Sequence, residues 1–162
     1  MTAWWRSISA ALFFLRTDPS TIGFGCLFPP IENRIPLGVL KNDFIFEGRT
    51  RGELHSETWI LGGANAEPAF RDWSDQKIVS AIVAERTRVF DSSDEPAEVM
   101  ITRWPHAIPH YTIELEMTLP LLQSVERNVW LVGNYLGQIG LSKILERASR
   151  LPAEIDIRGK WN

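Results

Sequence analysis

Two prolines set four residues apart constrain this chain more than any other feature. In Arg103-Trp104-Pro105-His106-Ala107-Ile108-Pro109-His110-Tyr111, each proline removes a backbone donor and holds the residue before it extended. The stretch therefore cannot be regular helix, and it continues from a strand expected over residues 99–103. A little further on comes Asn128-Val129-Trp130-Leu131-Val132-Gly133-Asn134-Tyr135-Leu136-Gly137-Gln138-Ile139-Gly140-Leu141. It reads as a continuous apolar strand over 129–132, a glycine-bearing loop, and the start of a helix over 142–150. A loop of this kind aims free backbone N–H groups, and the positive end of a helix dipole, at a carbonyl-rich or anionic group. The two segments together suit one wall of a site for a large ligand, and nothing earlier in the chain supplies the opposite wall.

Before residue 100 the pattern is that of an antiparallel sheet with one helix. The apolar run at 8–15 follows a single Arg6 and ends at the turn signal Asp18-Pro19-Ser20. It lacks a small-x-small cleavage site and is too short to span a bilayer, so it reads as a buried strand over 10–15. Residues 22–28, interrupted by Gly23 and Gly25 and stopped by Pro29-Pro30, form a second expected strand. Short apolar runs at 37–40, 44–46 and 58–61 continue the sheet texture. Ser74 then N-caps a helix to Phe90, with Ile78, Ile82 and Val89 at helical spacing. A shorter helix is expected over 114–122, with Pro120 against it. The fold class expected is α+β, with a mixed, largely antiparallel sheet and helices.

Composition narrows the function classes. The 162 residues are 44% hydrophobic and 23% charged, enough for a real core. A net charge of −3 and a pI near 5.6 leave no basic footprint for nucleic acid, and Arg49 and Arg51 read as a solvated turn. The lone Cys26 excludes an internal disulfide and fits a reducing compartment, so the expected location is cytoplasmic, at most peripheral to a membrane.

No reactive constellation stands out. Gly23-Phe24-Gly25-Cys26-Leu27-Phe28 begins like a dinucleotide fingerprint, but the third glycine is missing and Pro29-Pro30 blocks the helix that must follow. His106 and His110 have no third or fourth metal ligand nearby in sequence, and His55 reads as a solvent-facing residue in a polar turn. There is no G-x-S-x-G elbow, Cys26 sits in an apolar strand, and Glu114 and Glu116 need only form a solvated face.

The Arg103-Trp104-Pro105-x-Ala107-Ile108-Pro109-x-Tyr111 run resembles the C-terminal part of the FAD-dependent protoporphyrinogen oxidases. So do Trp130-Leu131-Val132-Gly133-Asn134-Tyr135-Leu136-Gly137 and Ile139-Gly140-Leu141. Upstream, residues 23–29, 37–46 with Arg49, and 60–64 match that family's substrate domain in the same order. The resemblance runs from about residue 10 to 151 and corresponds to the last third or so of a family member. It implies a flavin contact at Trp104 and backbone near the isoalloxazine at Ile139, Gly140 and Leu141. It implies a tetrapyrrole pocket lined by Phe24, Leu27, Leu40 and Ile60, with no catalytic side chain because the flavin carries the redox chemistry.

It further implies a substrate-domain portion over 1–110 and the end of an FAD-binding domain over 111–162. The family's strand-GxGxxG-helix, acidic ribose contact and middle membrane-association region are not found in these residues. After Leu141 the family's Pro-Asp-Cys-like helix start is replaced by Ser142-Lys143-Ile144. The expectation is thus an oxidoreductase of haem biosynthesis, present as a partial or split subunit that needs an N-terminal FAD-binding polypeptide, or a homo- or hetero-oligomer, and is inactive alone. The rival expectations are a non-catalytic binder of a tetrapyrrole or similar apolar ligand, a truncated product, or another flavin amine-oxidase or desaturase-type enzyme.

Overall fold

The computed structural model describes residues 5–16, 23–63, 70, 72–123 and 129–158. Its strands are β1 (Trp5–Leu15), β2 (Gly25–Leu27), β3 (Gly38–Lys41), β4 (His55–Gly62) and β5 (Glu98–Pro109). Its α-helices are α1 (Asn42–Ile45), α2 (Asp75–Phe90), α3 (Ile113–Gln123) and α4 (Leu141–Arg158). The strands form one sheet in the order β2-β3-β4-β1-β5, antiparallel at β2/β3, β3/β4 and β4/β1. The α+β class expected from the sequence is the class observed.

Alternation decides what faces what. Successive side chains of a strand point to opposite faces, and directly paired residues share a face. Ala11, Phe13 and Leu15 of β1 share one face with Val39 of β3 and with Trp59 and Leu61 of β4. All six are buried, and most of them join Phe70 and Ile78 and Ile82 of α2 in the core. β1 extends well before the expected residue 10, because pairing with β4 runs from Ile8↔Gly62 to Leu15↔His55. Helix α2 starts as expected: the Ser74 hydroxyl accepts from the Lys77 N–H at 3.2 Å.

Buried charge sits within this core. Glu57 is paired with Phe13 in register and therefore points toward α2. Its Oε2 accepts from Arg86 Nε at 2.9 Å and from Trp59 Nε1 at 2.9 Å. Arg86 Nη1 donates to the Asp94 carbonyl at 2.8 Å, fixing the loop after α2. Glu85, fully buried, accepts from Arg34 and Arg88 at 3.3 and 3.1 Å.

Four expectations need correction. The run at 44–46 is not sheet: residues 42–45 make the single turn α1, closed by the Phe46 N–H on the Asn42 carbonyl at 3.0 Å. Side-chain bonds compete with a strand ladder here. Asn42 Nδ2 donates to Ser56 Oγ and Thr58 Oγ1, and Asp43 Oδ2 accepts the Ser56 N–H. His55 is not a free turn residue; it opens β4, and its Nδ1 lies 3.3 Å from Asp43 Oδ2. Residues 129–132 are apolar but form no strand. A strand exists only with a neighbour, and among the described residues this segment has none. The strand expected over 22–28 shortens to Gly25–Leu27, and Ile22 lies outside the described residues.

Helix α3 forms despite Pro120, with Thr112 Oγ1 accepting the Leu115 N–H at 3.3 Å at its start. The chain divides into two compact units, one of Arg6–Ala107 and one that includes Ile108–Asn162. The first holds the sheet and α2, and the second holds α3 and α4. No described helix is long and apolar enough to cross a membrane.

Arg86→Leu should strand the buried Glu57 carboxylate and lower stability by about 3–5 kcal/mol in urea unfolding. Adding Glu57→Gln should return part of that loss, because the unpaired charge is gone.

Candidate functional site

In the first unit, strand register brings three of the four expected pocket residues to one face. Leu27 pairs with Gly38, Gly38 with Ile60, and Leu40 with Gly25 and Thr58. Leu27, Leu40 and Ile60 thus lie on the sheet face opposite the Phe13–Trp59 core. Leu40 and Ile60 are half-buried, while Leu27 is 80% and Phe24 69% exposed. Phe24 is tied by its backbone, its carbonyl accepting the Lys41 N–H at 2.8 Å. Gly25 makes that approach feasible: its φ is +144°, and a Cβ there would lie 2.2 Å from the Val39 carbonyl oxygen.

One edge of this apolar face is polar. Asn42 bridges Ser56 and Thr58 at 3.2 and 3.0 Å, and Thr58 shares the face of Leu40 and Ile60. This trio was not singled out from the sequence, since only β3/β4 pairing and the α1 turn bring residues 14 and 16 positions apart together.

Trp104 stands on β5, 46% exposed, beside an anchored residue. Arg103 Nη2 donates to the Trp73 carbonyl at 3.0 Å and pairs with Asp75 at 2.5 Å, holding this part of β5 to the start of α2.

The second unit carries the glycine segment. The Tyr111 hydroxyl donates to the Asn134 carbonyl, so the end of the proline-fixed run is fastened to the loop at 133–137. The Leu136 N–H closes a turn on the Gly133 carbonyl at 3.3 Å, and Gly137 follows with φ +90°, a region that favours glycine. The Gly140 carbonyl accepts the Lys143 and Ile144 N–H groups at 3.0 and 3.1 Å, making it the first residue of the α4 hydrogen-bond ladder. Ile139 and Leu141 flank it at 49% and 70% exposure. Exposed backbone at the head of an 18-residue helix is suited to a polar, electron-rich partner. Trp104 belongs to the first unit and Ile139, Gly140 and Leu141 to the second.

Burial pushes the Cys26 thiol up, against the lowering effect of Lys41, which keeps it an unreactive thiol. Burial likewise lowers the Lys41 ammonium, with Glu57 opposing. Among the described residues, no group of three or more His, Cys, Asp or Glu side chains converges as metal ligands.

Burial also raises the Tyr111 phenol above its ordinary value of 10, with the Gly137 backbone acting in the other direction. A raised folded value means the Tyr111–Asn134 contact is fully present below pH 10 and is lost as pH climbs through the folded value. In ultraviolet titration, the tyrosine signal absent from Tyr111→Phe should therefore titrate above pH 10. At neutral pH, Tyr111→Phe should cost about 1 kcal/mol and speed proteolysis at 133–137.

No protein-family model matches the chain. It is 23% identical over 127 residues to protoporphyrinogen oxidase 2, chloroplastic/mitochondrial, of Arabidopsis thaliana, covering 75% of this chain and 25% of that protein. It is 23% identical over 146 residues to the chloroplastic protoporphyrinogen oxidase of Nicotiana tabacum, covering 85% and 26%. In fold it is similar to a candidate protoporphyrinogen oxidase from Exiguobacterium sp. 255-15, with TM-score 0.76 and 14% identity, over 94% of this chain and 35% of that one. It is also similar to reduced UDP-galactopyranose mutase, with TM-score 0.52 and 9% identity, over 74% and 26%. The chain spans about a quarter of the length of the curated relatives it matches. Over that span, sequence and fold alike make it similar to the protoporphyrinogen oxidase family.

Proposed function

We propose that these residues belong to a protoporphyrinogen oxidase-type flavoprotein, contributing a wall of its tetrapyrrole pocket and an edge of its FAD site. The reading is carried by one coincidence. Sequence similarity to named protoporphyrinogen oxidases covers 75% and 85% of the chain and fold similarity to a candidate member covers 94%, and the fold carries a second apolar sheet face at Leu27, Leu40 and Ile60. A flat hydrophobic macrocycle is recognised by aliphatic and aromatic walls with few polar anchors. Leu27, Leu40 and Ile60 offer such a wall, with Phe24 near it in sequence, and Asn42 and Thr58 lie at its polar edge.

The residues present are compatible with a flavin edge. Gly137 and Gly140 leave the head of α4 open, with no neighbour within 3.4 Å of an added Cβ at either position. The α4 dipole there favours a carbonyl-rich group. Ile139, Gly140 and Leu141 of the second unit would hold it; Trp104, in the first unit, is a separate candidate contact. Bound FAD would accept the electrons when protoporphyrinogen is dehydrogenated to protoporphyrin. The part left to this chain is to bind the macrocycle, orient it and exclude water. A strand-GxGxxG-helix for the pyrophosphate would come from outside these 162 residues, on a separate N-terminal FAD-binding polypeptide or on the same one.

Similarity to UDP-galactopyranose mutase supports a wider reading, in which the fold serves another flavin enzyme. It is the weaker reading, because the sequence similarities are to protoporphyrinogen oxidases.

Titrating protoporphyrin against tryptophan fluorescence should give saturable quenching. Leu40→Ser should weaken it at least about 10-fold, the worth of one buried leucine. The residues alone should neither hold FAD tightly nor turn over. Unsaturable quenching, or equal affinity in the Leu40 variant, would remove the pocket reading.

A further inference from the structure

The polar edge of the apolar sheet face has already spent the hydrogens it could turn outward. Thr58 stands between Leu12 and Leu40 in register, with Ile60 next along β4 on the same face. A hydroxyl in such surroundings needs a fixed partner, and Asn42 supplies two bonds to it. Asn42 Nδ2 donates to Thr58 Oγ1 at 3.0 Å, and Thr58 Oγ1 donates to Asn42 Oδ1 at 3.2 Å. The second Nδ2 bond goes to Ser56 Oγ at 3.2 Å. Ser56 itself is buried, 3% exposed, and presents nothing to the face.

A side-chain amide carries two hydrogens and a hydroxyl one, so the donors of Asn42 and Thr58 are all committed within the trio. What these two half-buried residues keep is acceptor capacity, on Thr58 Oγ1 and Asn42 Oδ1. A carboxylate brought here would set oxygen against oxygen. Lys41, next to Asn42 in sequence, is in register with Glu57 and lies over the Phe90 ring at 4.3 Å, on the core side of the sheet. A ligand therefore meets this edge with an N–H or O–H group, and its acidic groups belong elsewhere.

We propose that Thr58 Oγ1, held by Asn42, accepts a pyrrole N–H of a reduced tetrapyrrole and so distinguishes the reduced ring from the oxidised one. The inference rests on the reading of this face as a tetrapyrrole wall. In a porphyrinogen, saturated bridges let each pyrrole tilt and point its N–H out of the macrocycle, toward an acceptor on the wall. In a porphyrin, conjugation flattens the ring and turns the remaining N–H groups inward among the ring nitrogens. Apolar contact with Leu27, Leu40 and Ile60 is open to both forms, whereas the bond to Thr58 is open to the reduced form alone. A flat ring over this edge covers the Thr58 acceptor without pairing it, which penalises the oxidised form further. The edge thus favours entry of the reduced macrocycle and departure of the oxidised one.

The test is anaerobic titration of the full chain with protoporphyrinogen and, separately, with protoporphyrin, each followed by tryptophan fluorescence. The unmodified chain should bind the porphyrinogen about 5-fold more tightly, the worth of one hydrogen bond. Thr58→Val, close in shape and suited to a strand, should weaken porphyrinogen binding alone and bring the two affinities together. Thr58→Ser keeps the hydroxyl and should keep the preference, which separates loss of the bond from loss of the fold. Equal affinities in the unmodified chain, or a preference that survives Thr58→Val, would overturn the proposal and leave the wall reading standing. So would a Thr58→Val variant that loses both rings alike. Saturable binding of neither ring would remove the wall reading itself, and the anchor with it.

Discussion

The Glu57–Arg86 pair, with the Trp59 indole bonded to the same carboxylate oxygen, is the interaction around which the first unit is organised. Two charges removed from water cost several kcal/mol each, and they persist only where geometry and further hydrogen bonds compensate. Here the compensation fixes three elements at once. Glu57 and Trp59 belong to β4, Arg86 to α2, and the second Arg86 bond reaches the Asp94 carbonyl in the loop that leads to β5. Helix, sheet and connection are thereby locked in one register, and the apolar core of Phe13, Leu61, Ile78 and Ile82 closes around the lock.

That register has a consequence on the far side of the sheet. A side-chain period of two means that burying Val39, Trp59 and Leu61 against α2 turns Leu40, Thr58 and Ile60 the other way. The exposed apolar face is thus the necessary complement of the core rather than a separate design. Gly25, at φ +144° against the Val39 carbonyl, extends the same face to Leu27 by letting β2 lie close on β3.

In the second unit the ordering element is different. The Tyr111 hydroxyl on the Asn134 carbonyl joins two stretches more than twenty residues apart, and Gly137 then turns the chain into the head of α4. The result is a fixed loop in front of an open helix terminus.

Much of this was legible in the sequence. The Ser74 cap and the spacing of Ile78 and Ile82 place α2 correctly, since capping and helical period are local. Pro105 and Pro109 exclude helix as expected, and the observed β5 runs through both of them. Local signals fail where the partner is distant. Residues 44–46 look like strand, but Asn42 and Asp43 find bonding partners on β4 and turn the chain instead. His55 looks solitary until Asp43 arrives beside it. The apolar run 129–132 predicts a strand, and composition alone says nothing of whether a neighbour exists to pair with it. By itself, then, the sequence determined element types wherever propensity, capping and proline sterics act within a few residues, and it carried the family likeness. The tertiary structure alone decided which face of the sheet is buried and which charges are paired, because those depend on contacts between residues far apart in the chain.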